Sequence, residues 1–574
     1  MNFCRSAVAL AALVCMSKAT QAQSQTQAQV PAAPRVKYIQ AGWERTDSAD
    51  LMKELKTIEQ TPYSGIELAI SGTTGDGKTI PVKYTFTATP WKRAWFAKSV
   101  KELRIAQSPQ LTDNFIIAGA NPGDVDWFDD EGWKQIADHW RIVAWIAKLG
   151  GLKGIMFDPE PYAKPHAQFK YSAQSQQERH SFEEYSAKAR QRGREVMEAI
   201  KSEYPDMTLF TFFMNSVNAR SAMQPDPQRA LAESDGNYGL YPAFINGWLD
   251  AAPPQMIFVD GCESAYMYSG ELPYLRAANA IRNTALSLVA PENHDKYRRQ
   301  VRAGFSIYLD AYINPETSRY YQKPLDGSRL NRLRDNLKNA AEATDQYIWT
   351  WGEKYRWWPT ASTEKNARVN PQSWEEILPG VEDAMYGAAD PTYLLKRAAK
   401  RFEEQEKAGQ LVNLVKNGDF SLAGKPSAEF PEWRIWKTTK LGVIARDVAQ
   451  DRTGQAGSGT ARLRAMHNGV LIQNLPAQPG EYYMVRAWRK YQKNGGKGGI
   501  RVRWQDAAGK WVAESQDVLI HAPANTPPGQ WHLLEGIARV PEGATELVIL
   551  LGAKDQNAPD DVLWYDDVQA YRIP

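Results

Sequence analysis

The sequence predicts an α/β domain followed by an all-β domain. Between residue 36 and about residue 356, short apolar runs alternate with segments of helical spacing. After about residue 409 the helical spacing ends, and short alternating runs are separated by Gly, Pro and Asn. A chain of 574 residues is also too long for one hydrophobic core. The second region is therefore expected to be an antiparallel β-sandwich.

The first region contains eight strand-like runs: Val36–Gly42, Gly65–Ile70, Asn114–Gly119, Gly154–Phe157, Thr208–Met214, Met256–Val259, Ala303–Leu309 and Gln346–Trp351. Four intervening segments carry apolar residues on one helical face: Ser48–Gln60, Trp133–Leu149, Ser181–Glu203 and Arg329–Ala343. Strands that alternate with helices are typically parallel, and eight repeats favour closure into a (β/α)8 TIM barrel.

The N-terminus has the pattern of a secretory signal. Arg5 precedes a short apolar run, and Thr20-Gln21-Ala22 is a small-residue cleavage site. Of three cysteines, only Cys262 would remain after cleavage, so the mature chain has no intramolecular disulfide. An exported chain without disulfides favours a bacterial periplasmic or extracellular location. The expected organisation is a signal peptide over 1–22, a flexible leader over 23–34, the barrel over 35–409 and the sandwich over 410–574.

Charge excludes some partners. The formal net charge of +3 is small for this length and predicts no nucleic-acid partner. The N-terminal apolar run is too short to cross a bilayer, so no membrane insertion is expected. Gly72–Thr79 matches the phosphate-loop pattern, but the next residues, Ile80–Phe86, alternate as a strand does. We therefore predict a hairpin turn there. The histidines lack zinc-ligand spacing, and no catalytic cofactor is expected.

The fourth strand-like run ends in Asp158-Pro-Glu160-Pro-Tyr162. Because side chains alternate along a strand, Asp158 and Glu160 are expected to face one pocket. Two carboxyl groups that lie close together raise the pKa of at least one of them. Such a group can act as a general acid near neutral pH, as hydrolysis of a glycosidic bond requires.

Polar residues follow seven of the eight strands. They are Glu44, Asn121, Asp158, Glu160, Asn215, Asp260, Glu263, Asp310 and Glu353. In a barrel these positions share the carboxyl-terminal mouth, where catalytic residues lie. Trp43, Tyr162 and Trp351 flank the same strand ends. Flat aromatic rings among carboxylates are the expected lining of a saccharide site, so the expected partner is a polysaccharide or oligosaccharide.

The barrel resembles those of glycoside hydrolases. Its Asp158-Pro-Glu160 strand end is similar to the Asp-x-Glu that ends strand four of chitinase-type enzymes. The match is partial, because Gly154 and Met156 stand where that signature carries earlier aspartates. This resemblance implies an enzyme that hydrolyses O-glycosyl bonds, and the signal pattern implies that the enzyme is exported.

The C-terminal region resembles the jelly-roll carbohydrate-binding modules of cellulases and xylanases. Asn413–Phe420 resembles their opening strand, and Trp564–Val568 resembles their closing strand. The resemblance implies that the first and last strands are close together and that Asp419 and Asp566 are candidate ligands of a structural calcium. Trp433, Trp436, Trp488 and Trp504 are candidates for sugar stacking, with at least two expected in the core.

Three interpretations stay open. In the first, Glu160 is the general acid/base, Asp158 orients it or polarises the substrate, and Asp260 or Glu353 is the second carboxylate. In the second, an α-galactosidase-like retaining enzyme uses Asp158 as nucleophile and Asp260 as acid/base. In the third, the protein binds polysaccharide at a surface without catalysis.

Overall fold

The computed structural model describes residues 36–573, except 235, 391, 423–429, 439–440, 454–456, 494, 496, 513 and 524–525. The predicted signal peptide and leader lie outside the described residues. No helix in the described part of the chain is long and apolar enough to cross a membrane.

A nearly closed parallel sheet dominates the first part of the fold. The strands up to residue 352 are β1 (Lys37–Gly42), β2 (Gly65–Leu68), β3 (Ser71–Thr73), β4 (Thr79–Pro81), β5 (Tyr84–Phe86), β6 (Phe115–Pro122), β7 (Gly154–Asp158), β8 (Thr208–Thr211), β9 (Ile257–Asp260), β10 (Val301–Ala303), β11 (Phe305–Tyr308) and β12 (Tyr347–Gly352). Nine of them form the order β10-β9-β8-β7-β6-β2-β1-β12-β11. Only Gly304 separates β10, paired to β9, from β11, paired to β12.

Every predicted strand-like run coincides with a parallel strand when β10 and β11 are counted together. The helices are α1 (Ser48–Ile58), α2 (Ala97–Ile105), α3 (Asp130–Leu149), α4 (Phe182–Glu203), α5 (Ala219–Ala222), α6 (Pro227–Ala232), α7 (Tyr241–Ala251), α8 (Glu271–Arg282), α9 (His294–Gln300), α10 (Arg329–Ala343), α11 (Ala361–Lys365), α12 (Trp374–Ile377), α13 (Val381–Ala389) and α14 (Tyr393–Lys407). Asp47 caps α1, since its carboxylate accepts the N–H groups of Ala49 and Asp50.

The core of this part is strongly aromatic. Trp133 and Trp140 on α3 and Trp248 on α7 are fully buried against the sheet. Helices α4 and α7 approach closely because Gly193 has no side chain: a Cβ there would lie 2.1 Å from the Phe244 carbonyl oxygen. The α3, α4 and α7 helices thereby cover one side of the parallel strands and hold β7 in place.

The predicted hairpin between residues 72 and 86 is present. Strands β3 and β4 pair antiparallel, with Thr73 opposite Thr79, and no helix follows the glycine-rich turn. The chain then runs through β5, whose Tyr84 pairs beside Gly119 of β6. This excursion places Lys83 at the carboxyl edge of the parallel sheet.

The second part is built from two five-stranded antiparallel sheets. Its strands are β13 (Arg434–Lys437), β14 (Val443–Asp447), β15 (Thr460–Arg464), β16 (Asn468–Pro476), β17 (Tyr482–Gln492), β18 (Lys497–Gln505), β19 (Val518–His521), β20 (His532–Arg539), β21 (Glu546–Lys554) and β22 (Val562–Ile573). The first sheet has the order β13-β16-β21-β18-β19, and the second has the order β14-β15-β22-β17-β20. Leu414 N–H donates to Ala570 O at 2.9 Å, so the opening segment lies against the last strand as expected.

Candidate functional site

A cavity of about 410 Å³ opens at the carboxyl edge of the parallel sheet. Six residues predicted for the site line it: Trp43, Asn121, Asp158, Tyr162, Trp351 and Glu353. They come from the ends of β1, β6, β7 and β12 and from the loop after β7. Strands far apart in the sequence therefore deliver acids and aromatic rings to one space.

The Asp158 and Glu160 carboxylates form the acidic centre of the site. Glu160 N–H donates to Asp158 Oδ1 at 2.9 Å, and the Glu160 carboxylate accepts the Tyr162 hydroxyl. Burial, and next the negative charge of Glu160, raises the pKa of Asp158 to about 7. Asp158 can therefore hold a proton at neutral pH, although an ordinary aspartate cannot.

Glu263 is the third acid of this group. Burial raises its pKa to about 9, and the charges of Glu160 and Asp158 add to the effect. It follows β9, does not line the cavity, and is half-buried. We infer that it is protonated at neutral pH, which limits the negative charge beside the pair.

A second acidic group lies near β12. The buried Glu44 carboxylate accepts Trp357 N–H at 3.0 Å and Gln40 Nε2 at 2.9 Å. Burial raises the pKa of Glu44 to about 8. The Asp310 carboxylate accepts Glu353 N–H at 2.8 Å, and burial raises its pKa to about 6. Glu44 and Asp310 therefore support the backbone around Glu353 and do not reach the cavity.

Glu353 reaches the cavity from the end of β12. Trp351 Nε1 donates to Glu353 Oε1 at 2.9 Å, which fixes the carboxylate beside the indole ring. Asp158 and Glu353 belong to β7 and β12, and three strands of the sheet order separate them. The cavity thus has carboxylates at the ends of two strands that are far apart in the sheet.

Asp260 has a different environment. It is fully buried and does not line the cavity. Its carboxylate accepts Ser216 N–H at 2.9 Å, the Ser216 hydroxyl at 2.5 Å and Cys262 N–H at 3.2 Å. These bonds fasten the loops after β8 and β9, so the geometry gives Asp260 a structural position.

The two asparagines also differ. Asn121 bridges the loop after β7, because its Nδ2 donates to Glu160 O at 2.8 Å and its Oδ1 accepts Tyr162 N–H at 2.9 Å. It therefore holds Glu160 and Tyr162 in position. Asn215 is buried at the start of a short helical turn and does not line the cavity.

The partial match to the chitinase-type signature has a steric cause. A Cβ on Gly154 would lie 1.9 Å from the Thr208 carbonyl oxygen of β8, so an aspartate cannot occupy this position. Met156 is fully buried. The lower part of β7 therefore packs against its neighbours, and only its carboxyl end carries acids.

Aromatic rings form part of the cavity wall. Trp349 is fully buried and stacks on Phe212, with ring centroids 4.6 Å apart, as expected for a core residue. Trp351 meets Phe212 edge-on at 5.7 Å and, like Trp43, is half-buried in the cavity wall. Tyr162 is 58% exposed at the mouth.

Sequence reasoning missed three charged residues that line the cavity, Arg45, Glu67 and Lys83. Burial, and next the charge of Asp158, raises the pKa of Glu67 to about 8, while Lys83 and Arg45 oppose the rise. Glu67 lies inside β2, one residue before the strand ends, so a search of residues after strands misses it. Lys83 lies just after the β3–β4 hairpin, and a regular strand-helix repeat has no such hairpin.

The proposed calcium ligands do not form a ready metal site. Asp419 Oδ1 accepts Ser421 N–H at 3.3 Å and its hydroxyl at 3.0 Å. The Asp566 carboxylate accepts Asp567 N–H at 2.7 Å and Arg452 N–H at 3.2 Å. Within the described residues, no group of three or more His, Cys, Asp or Glu could hold a metal ion. A structural calcium remains a prediction.

No known family profile and no curated protein matches the chain. Solved structures that match parts of it include the CBM22-1 xylan-binding domain of Paenibacillus barcinonensis Xyn10C, with 15% identity, 27% of this chain and 92% of that chain covered, and a TM-score of 0.21. An arabinose-bound GH51 α-L-arabinofuranosidase has 11% identity, coverage of 29% and 27%, and a TM-score of 0.22. The active domain of bacteriophage CBA120 tailspike protein 4 has 20% identity and a TM-score of 0.22, and the match covers 28% of this chain and 22% of that domain.

Proposed function

We propose that the protein is an exported glycoside hydrolase with a (β/α)8 barrel and a C-terminal jelly-roll module. The nearly closed order of parallel strands supports the barrel, since β10 and β11 are separated by one residue and pair with opposite ends of the sheet. The two five-stranded antiparallel sheets support the jelly roll. The signal pattern over residues 1–22 supports export.

One observation carries the enzymatic proposal. Asp158, whose pKa is raised to about 7, lines the same cavity as the Glu353 carboxylate and the rings of Trp43, Trp351 and Tyr162. Glycosidic hydrolysis needs one carboxyl group that carries a proton and a second that is ionised. The cavity combines two carboxyl groups with rings that can stack on the apolar faces of sugars.

In the proposed mechanism, Asp158 donates its proton to the glycosidic oxygen as the bond to the anomeric carbon breaks. Positive charge then develops on the sugar ring, and the Glu353 carboxylate stabilises it. Glu353 either attacks the anomeric carbon or takes a proton from the attacking water. In the first case, water then displaces Glu353 from the anomeric carbon and gives its proton to Asp158. In the second case, Glu353 releases the proton to solvent and Asp158 takes one from solvent.

Glu160 is a positioning residue in this mechanism. Its carboxylate holds the Tyr162 hydroxyl, and its charge raises the pKa of Asp158. The sequence interpretation gave the acid role to Glu160 and the supporting role to Asp158. The cavity favours the reverse assignment, because Asp158 and Tyr162 line it and Glu160 does not.

The test is release of reducing ends from a panel of plant and bacterial polysaccharides. Wild type should release sugar, and Asp158→Asn should lose at least about a hundredfold in rate. Glu131→Gln, an exposed change on α3, is the matched control and should keep full activity. Release that is unchanged in Asp158→Asn would remove Asp158 from the mechanism. Binding without release on every polysaccharide would favour the non-catalytic interpretation.

A further inference from the structure

A second concave site lies far along the chain from the acidic cavity. A groove of about 660 Å³ crosses the outer face of the first antiparallel sheet, β13-β16-β21-β18-β19. The inner face of this sheet forms the sandwich core with Ile500, Val502 and Leu551. The second sheet packs against α14 through Tyr571 and Met484. The groove therefore lies on the sheet opposite the one that packs on this helix.

A row of paired residues, one from each of the five strands, forms the floor of the groove. Val470 pairs with Gly552, and Gly552 pairs with Gly499 on the next strand. Trp436 on β13 and His521 on β19 continue the same row to the two edges of the sheet. Because the third and fourth members of the row, Gly552 and Gly499, have no side chain, the row is a trough that crosses five strands over about 19 Å.

Two exposed indole rings line this groove. Trp436 is 50% exposed and Trp511 is 46% exposed. They are the only tryptophans in the described part of the chain that are so exposed. Of the other stacking candidates, Trp433 and Trp504 are buried in the sandwich core, and Trp488 lies under the Arg452 guanidinium at 4.6 Å on the second sheet. Among the described residues, the most exposed tryptophans thus both lie in the groove.

The charged lining of the groove is cationic. Its four charged side chains are Lys497, Arg501, Arg503 and Lys554. No carboxylate lines the groove among the described residues. This charge pattern differs from that of the acidic cavity, where carboxylates dominate.

Acidic residues outside the groove hold three of these cations in place. Asp555 pairs with Lys497 at 3.2 Å. The Asp517 carboxylate pairs with Arg501 at 2.6 Å and with Arg503 at 3.0 Å. The Arg503 guanidinium also lies 4.2 Å from the centroid of the Trp511 ring. Two guanidinium groups and an indole are therefore preorganised along one wall, which lowers the entropy lost when a ligand binds.

We propose that this groove binds an anionic polysaccharide, a chain whose sugars carry carboxylate or sulfate groups. The two indole rings stack on the sugar faces, and the guanidinium and ammonium groups pair with the anions. A neutral chain would remove water from these cations without supplying anions in its place, which is unfavourable even for those that already pair with acids outside the groove. The proposal does not depend on hydrolysis in the acidic cavity.

The experiment measures binding of the full chain by calorimetry to two matched pairs of polymers. Polygalacturonate is compared with its methyl ester, and dextran sulfate is compared with dextran. The expected result is at least tenfold tighter binding of one or both charged polymers. Preference for polygalacturonate identifies the carboxylate, and preference for dextran sulfate identifies the sulfate ester. Equal binding of charged and uncharged partners, or binding of neither, overturns the proposal.

Three groove variants locate the site. Lys497→Gln with Lys554→Gln removes two charges, Trp436→Ala removes a ring, and Gly552→Val fills the trough where a Cβ meets only ordinary contacts. Each should weaken binding of the charged polymer at least tenfold while the thermal melt stays near that of wild type. The control, Lys98→Gln with Lys134→Gln, removes two exposed charges from the first part of the fold.

Loss of binding in the control, or retained binding in all three groove variants, would overturn the assignment to the groove. Tyr162→Ala should leave this binding unchanged, because it alters only the acidic cavity. Tighter binding of single-stranded nucleic acid than of either charged polymer, lost in the same groove variants, would also overturn the proposal.

Discussion

The backbone N–H of Glu160 donates to the Asp158 carboxylate at 2.9 Å, while the Glu160 side chain turns to the Tyr162 hydroxyl. Glu160 therefore has two opposite effects on the pKa of Asp158. The hydrogen bond from the Glu160 backbone favours the ionised form of Asp158, and the charge of the Glu160 side chain opposes it. Glu160 thus helps to set the pKa of Asp158.

The first prediction concerns the pH dependence of hydrolysis. Asp158 acts in its protonated form, so activity should fall as the pH rises through its pKa of about 7. Glu160→Gln keeps the backbone hydrogen bond and removes the negative charge, so the pKa of Asp158 should fall. We expect the alkaline limb of kcat/KM to move down by about one pH unit. Complete loss of activity in Glu160→Gln would instead assign the acid role to Glu160.

The second prediction separates the two catalytic carboxylates by their dependence on the leaving group. A nitrophenolate leaves without protonation, so Asp158→Asn should lose about a hundredfold on polysaccharide but less than about tenfold on a nitrophenyl glycoside of the same sugar. Glu353→Gln should lose activity on both, because it acts on the anomeric carbon. Equal losses of Asp158→Asn on the two substrates would contradict general acid catalysis by Asp158.

The features that were predicted from the sequence are mainly those that depend on the alternation of strands and helices and of side chains along a strand. The β7 end, with Asp158 and Tyr162, was found because a short strand run stops at an acidic pair between prolines. Asp260 also follows a strand, β9, but it does not line the cavity, and its carboxylate accepts the N–H and hydroxyl of Ser216 inside the fold. Whether such a carboxylate faces the cavity or bonds inside the fold depends on contacts between segments that are distant in the sequence. The local residue pattern does not predict these contacts.

The same limit explains the residues that were missed. Lys83 reaches the cavity only because the β3–β4 hairpin projects to the carboxyl edge of the sheet. In the second part, Trp436 and Trp504 have similar sequence contexts, yet one is 50% exposed and the other is fully buried. The face of the sheet on which a strand residue lies depends on register, and register depends on partner strands.

The third prediction concerns stability and Glu67. Its folded pKa is raised to about 8, so the folded state binds more protons than the unfolded state between pH 4.5 and 8. The free energy of unfolding should therefore decrease as the pH rises through this window. Glu67→Gln removes the ionisable group from a 7% exposed site. We expect it to stabilise the protein by about 2–4 kcal/mol at pH 8 and to have little effect at pH 4.5.

Denaturant unfolding of wild type and Glu67→Gln at the two pH values checks this expectation. Glu131→Gln, which changes an exposed carboxylate on α3, should leave the pH dependence unaltered. A Glu67→Gln protein with the same pH slope as wild type would show that this carboxyl group is not buried in its neutral form.

The fourth prediction tests the close packing of α4 on α7. A Cβ at Gly193 would lie 2.1 Å from the Phe244 carbonyl oxygen, so Gly193→Ala must push the helices apart. The expected loss is about 2 kcal/mol or more in the free energy of unfolding, despite the higher helix propensity of alanine. Glu198→Ala, on the exposed side of α4, is the control and should change stability by less than about 0.5 kcal/mol. Equal stability of the two variants would refute this packing.

The fifth prediction concerns the junction between α14 and the second antiparallel sheet. Phe402 on α14 is 3% exposed and lies 5.8 Å from Tyr571, ring centroid to ring centroid. The Arg486 guanidinium lies over both rings and pairs with Glu406 at 2.6 Å. Because these contacts form a small cluster separate from both main cores, Phe402→Ala should loosen the junction without unfolding either core.

Limited proteolysis and calorimetry check this junction. Phe402→Ala should be cut faster between residues 407 and 414, and its thermal transition should separate into two steps or broaden, because the cores would no longer unfold together. Leu395→Ala, at a 44% exposed position on the same helix, should be cut at the wild-type rate. If Phe402→Ala unfolded in one step at a lower temperature with no faster cutting, the junction would be part of a single cooperative core, and the contact of α14 with Tyr571 would contribute to global stability.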